Sequence, residues 1–147
     1  MAGAGNLIFF ENFRKTLGDG TIDLDSHVFK LQLHSSSFTP NVSTMQVRAD
    51  LTGELSTANG YTSGGASLAS ITWTKSGATV TWDAADTVFT ATGAGITARY
   101  GVILDDSTAS KDLVGYILLD TAPADVTATA GNTMTFQWNA AGIFTQT

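Results

Sequence analysis

From residue 68 onward, apolar and polar side chains alternate along most of the chain, the period of a strand with one buried face. Ile71 and Trp73 face one way and Thr72 and Thr74 the other; after Ser76-Gly77, a pair suited to a two-residue hairpin turn, Val80 and Trp82 oppose Thr79 and Thr81. Val88–Ala91 predicts a short strand closed by Thr92-Gly93-Ala94-Gly95. Ile96, Ala98, Tyr100, Val102 and Leu104 then form one face of a long strand, with Thr97 and Arg99 opposite. Leu113–Leu119 is apolar on both faces and predicts a central strand. Thr133, Thr135 and Gln137 alternate with Met134, Phe136 and Trp138 in the last long strand, before Asn139–Gly142 turns the chain into Ile143-Phe144.

The first half is less regular. Asn6 can cap one helix, in which Leu7, Phe10, Phe13 or Arg14, and Leu17 recur at helical spacing before Gly18 stops it. Phe29, Leu31 and Leu33 alternate with Val28, Lys30 and Gln32 in a strand. His34–Thr44 reads as loop, with Pro40 setting a turn; Met45–Leu55 fits either an extended stretch or a single turn, and Asn59–Gly65 reads as a long flexible connection. Short strands separated by turn signals at roughly 8–12 residues predict an all-β single domain, an antiparallel sandwich or jelly roll with one short N-terminal helix. Residues 1–20 are expected to form an anchoring segment on a sandwich spanning residues 21–147, and the sandwich is expected to fold without residues 1–17.

Charge narrows the function. Seven Lys and Arg against thirteen Asp and Glu leave a net charge of −6, which disfavours a general nucleic-acid partner. The absence of cysteine excludes disulfides, thiolate zinc sites and cysteine nucleophiles. Met1–Asn6 has no cationic region, Leu7–Phe10 is too short for a signal core, and no apolar run has the roughly 20 residues that span a bilayer, so a chain made in the cytoplasm, without a membrane partner, is expected.

Chemistry is sparse. His27 and His34 stand at opposite ends of one strand without a carboxylate pair at ligand spacing. Gly18–Asp23 resembles the middle of a calcium loop, but aligning Gly20 on its glycine puts Lys15, Leu17 and Ser26 where oxygen ligands belong. Asp105, Asp106 and Asp112 could gather a cation, though acidic residues keeping a turn wet is the plainer reading, and Asp83 and Asp86 suit strand-end roles better than acid–base work. The chain has neither a Gly-x-Ser-x-Gly elbow nor a phosphate loop, so no enzyme, no cofactor and no metal site is expected. Most aromatics fall on strand faces and suit a core; Phe9, Phe10, Phe13 and Phe38 lie outside them and either dock on a partner or cap the core.

Several runs together resemble a family of small virion proteins from tailed bacteriophages and prophages. They include Asp23-Leu24-Asp25, Phe29–Leu33, Ser36–Asn41 and Glu54-Leu55, followed by Asn59–Leu68. Trp82–Asp86, Ile96–Tyr100, Leu113–Ile117 and Trp138–Phe144 continue the same order, so that the resemblance covers nearly the whole chain from Leu7. It implies a structural protein of the virion without catalytic residues. The post it implies is capsid decoration (cement), on the outer surface of the major capsid protein shell after synthesis in the host cytoplasm. A homo-oligomer, dimer or trimer, would suit local symmetry axes. Leu7, Phe9, Phe10, Phe13, Phe38 and Pro40 are the expected partner-binding residues. The alternative is a head-fibre or tail-tip component whose sandwich binds a receptor or glycan through exposed aromatics such as Tyr61 or Tyr116.

Overall fold

A computed structural model describes residues 5–122 and 124–147. The chain is all-β and sandwich-like, with one short helix. Its elements are β1 (Ile8–Phe9), α1 (Glu11–Gly18), β2 (Phe29–His34), a 3-10 turn at Arg48–Asp50, β3 (Ala66–Ser67), β4 (Thr72–Ser76), β5 (Thr79–Asp83), β6 (Thr87–Thr90), β7 (Ile96–Ala98), β8 (Tyr100–Asp105), β9 (Leu113–Leu118), β10 (Val126–Ala128), β11 (Thr133–Phe136) and β12 (Phe144–Gln146).

A five-stranded antiparallel sheet in the order β1-β9-β8-β2-β3 forms one layer. Three smaller antiparallel groups, β12-β5-β4, β11-β6 and β10-β7, complete the strand pairing. The main core lies between, where Phe29, Leu31 and Leu33 of β2 meet Trp82, Phe89, Met134 and Phe136. Trp82 packs edge-on against Phe29 at 4.9 Å and donates its indole N–H to the Leu24 carbonyl at 3.1 Å. β9 lies inside the sheet between β1 and β8, with Val114 and Ile117 in the main core and Leu113 and Tyr116 on the opposite, Phe10-covered side, so both of its faces are apolar. The other face of the sheet carries Val102, Leu104 and Leu113, and it is covered by Phe10, Phe38, Met45 and Leu51.

The helix begins later than its periodicity predicts. Ile8-Phe9 instead pairs with Tyr116 and Gly115 of β9, and Phe10 occupies the N-cap position in an extended conformation. Sheet pairing of these two residues outweighs the helical spacing from Asn6, because a nascent first turn costs more to form than an available ladder. The strand foreseen from Ile96 to Leu104 is divided at Arg99: β7 pairs with β10, while β8 pairs with β2 and β9. The Asn59–Gly65 connection is tightly fitted to the body of the protein. Gly65 has φ +83°, and a Cβ there would collide with the Leu31 carbonyl, so the chain can pass over β2 only as glycine.

Candidate functional site

The six residues expected to bind a partner do not form one surface. Phe10 and Phe38 are 0% and 1% exposed and cannot dock on anything. Phe38 stands edge-on to Tyr100 at 5.3 Å and lies 4.8 Å from the His34 ring, while Phe10 approaches Tyr116 at 5.8 Å. They cap the outer face of the large sheet, the second of the two roles open to them, because an uncovered face carrying Val102, Leu104 and Leu113 would be left in water. Phe13 is also buried, in the main core. Removing residues 1–17 would therefore strip Phe10 and Phe13 from two cores, which contradicts the expectation that the rest folds unaided. Leu7 is half-buried against the main core and Pro40 is half-buried in its loop.

Phe9 is likewise half-buried, its ring stacked on Phe13 at 5.2 Å and 11° and edge-on to Phe144 at 5.1 Å. Phe9, Phe13, Leu17 and Phe144 form the apolar bed of a shallow groove of about 480 Å³ between α1 and the edge strand β12, with Arg14 on its rim. Ile8, next to Phe9, is 44% exposed. Five of the seven cationic side chains are in ion pairs: Lys15 with Asp19, Lys30 and Lys111 with Asp106, Arg48 with Glu54 and Arg99 with Asp125. Among the described residues Arg14 is in none. The groove thus offers apolar surface beside an unneutralised guanidinium. Sequence reasoning passed over Leu17 and Phe144 as partners of this surface; the i, i+4 spacing of Phe13 and Leu17 was the available signal.

The titratable candidates have structural tasks. Burial holds the His34 imidazole below its usual range, hence neutral. Its Nδ1 lies 2.8 Å from the Thr52 carbonyl and its Nε2 3.3 Å from Gln32 Oε1, next to the buried and unpartnered Gln32 Nε2. A neutral ring donating from Nδ1 to Thr52 has an acceptor at Nε2, so the amide turned to present N–H to the ring suits the site better. Tyr61, foreseen as an exposed ligand aromatic, is 2% exposed. Its hydroxyl donates to Glu54 Oε1 at 2.9 Å and accepts from the Leu33 N–H at 3.2 Å, and burial pushes its pKa up. Tyr116 is half-buried against Phe10 and Phe38. Glu54 also accepts from the Gly64 N–H and pairs with Arg48, so this cluster ties residues 48–64 to β2.

Asp105 is fully buried rather than a wet turn residue: it lies 2.6 Å from His27 Nδ1 and accepts from the Ser107 N–H at 2.8 Å. Lys30 and Lys111 flank Asp106 and hold its carboxyl below the usual range against the opposing effect of burial. Asp83 accepts from the Ala84 N–H at the end of β5, and Asp86 from the Trp138 N–H, the strand-end roles foreseen for them. Among the described residues, no three His, Asp or Glu side chains are placed to share a metal ion, and no helix is long and apolar enough to cross a membrane. Comparisons with protein-family models, with curated proteins and with solved structures found no match.

Proposed function

We propose that the chain is a decoration (cement) protein of a tailed-phage head, attached to the major capsid protein through the groove between α1 and β12. The single observation that supports this is the half-open aromatic bed of Phe9 and Phe144 with Arg14 at its rim. Phe10, Phe13 and Phe38 are enclosed; Phe9, with Phe144 beside it, stops short of closure. An apolar patch rimmed by charge is the usual anatomy of a protein-binding site. Arg14 would meet a carboxylate of the shell, and the rest of the acidic surface would keep free subunits apart before assembly. Repetition across many shell subunits supplies strength that a groove this small lacks, through effective concentration rather than tighter single contacts.

Co-sedimentation with particles of the encoding phage that lack the protein tests the reading. Full-length protein is expected to pellet with the particles, and Arg14→Glu, which reverses charge on an exposed helix position, is expected to remain in the supernatant with its melting temperature unchanged. Equal pelleting of the two proteins would assign attachment to another face. Binding to purified tails in place of heads would favour the head-fibre or tail-tip alternative.

A further inference from the structure

A second cleft, of about 270 Å³, opens where the N-terminal strand meets the turn between β11 and β12. Its floor is apolar, with Ile117 from β9 and Ile143 from the approach to β12. Asn6, Gln137, Trp138 and Asn139 also line it, and among the described residues no charged one does. Trp138 is half-exposed and firmly placed: its backbone N–H donates to Asp86 Oδ1 at 3.1 Å and its indole N–H to the Ala85 carbonyl at 3.2 Å. With its only side-chain donor engaged, the indole offers apolar surface alone. Phe136 supports it with ring centroids 6.1 Å apart. Asn139 uses Oδ1 to accept from the Ala141 N–H at 2.8 Å, which leaves its amide NH2 as a donor.

We propose that this cleft binds a neutral saccharide. A fixed indole suits the C–H face of a sugar ring, and the side-chain amides, with the Asn139 NH2 donating and Gln137 able to donate and accept, suit vicinal hydroxyls. An anionic ligand would give up hydration here without an opposite charge among the described lining residues, and Asp86, bonded to the Trp138 backbone N–H, opposes it further. The volume falls just under the range of about 300–1,000 Å³ that holds drug-sized ligands, room for one ring of a longer glycan. Pinning Trp138 before the ligand arrives lowers the ordering cost of binding. The site is separate from the α1–β12 groove and stands or falls independently of it.

A panel of neutral oligosaccharides, ending in glucose, galactose, mannose or N-acetylglucosamine, is presented to the full chain alongside sialylated and sulfated counterparts. Binding is followed by saturation-transfer NMR and by tryptophan fluorescence. Saturable binding of at least one neutral glycan is expected, with Trp138→Ala abolishing it. Gln137→Ala, at an exposed position beyond β11, is expected to weaken it about fivefold, the worth of one hydrogen bond, without changing the melting temperature. Capsid co-sedimentation by Gln137→Ala stays at the wild-type level. No saturable binding across the neutral panel, a preference for the acidic glycans, or affinity unchanged in both variants would each overturn the proposal.

Discussion

Two aromatic clusters flank the N-terminal segment and meet opposite fates. Phe10, Phe38 and His34 are sealed beneath the irregular chain that crosses the outer face of the large sheet, with the half-buried rings of Tyr100 and Tyr116 packed against them. Phe9 and Phe144, with Trp73, lie at the sheet edge, where β1 and β12 both end their layers, and they remain only partly covered among the described residues while Phe13 is enclosed beneath them. Adjacent residues of one type, Phe9 and Phe10, are thus divided between a partly open and an enclosed face by the alternation of an extended backbone. Residue identity alone does not decide which aromatic stays open; the layer on which the side chain falls does.

The largest effect that would sharpen this contrast is in the sealed cluster. Phe38→Ala is expected to cost about 3–5 kcal/mol in denaturant unfolding, as for other fully buried rings. Gly65→Ala comes next, at about 2–3 kcal/mol, since it combines a left-handed backbone with collision against the Leu31 carbonyl; the same measurement checks it. A smaller effect depends on pH. Below about pH 6.5 the unfolded chain protonates His34 before the folded chain does, because burial disfavours the charged ring. Stability carried by neutral His34 is therefore full above that pH and lost as pH falls toward the lowered folded value. His34→Asn, which can still donate to the Thr52 carbonyl, is expected to flatten the fall in melting temperature between pH 7 and pH 5; an unchanged slope would detach His34 from the effect. In the open cluster, Phe9→Ala is expected to cost only about 1 kcal/mol, in keeping with a half-exposed ring, yet to release the protein from phage heads. A stability loss there as large as at Phe38 would erase the distinction between the two clusters.

What the sequence shows of this fold follows how regular each region is. The hairpin of β4 and β5, the strand through Phe89, the interior position of β9 and the alternation of Met134 and Phe136 are all legible, because a period of two with turn residues at the ends is a local signal; the hairpin turn itself falls one residue later than foreseen, at Gly77-Ala78, with Ser76 paired to Thr79. β10 is only three residues long and carries too little pattern to be recognised. The break at Arg99 is invisible for another reason: the alternation runs through it undisturbed while the chain changes partners. Phe38 sits alone among Ser and Thr, so no periodicity reveals its burial, which comes from the distant sheet face it covers. The groove was half legible: Phe9 and Phe13 were singled out, but Phe144 joins them from the far end of the chain, a contact that local pattern does not encode.

A cryo-electron-microscopy reconstruction of the intact phage particle tests the attachment account most directly. The account predicts density for this subunit on the head exterior, with α1 and β12 against the major capsid protein and the loop over Phe38 turned away from it. A subunit seated on the shell by that loop, or found only on the tail, would contradict it.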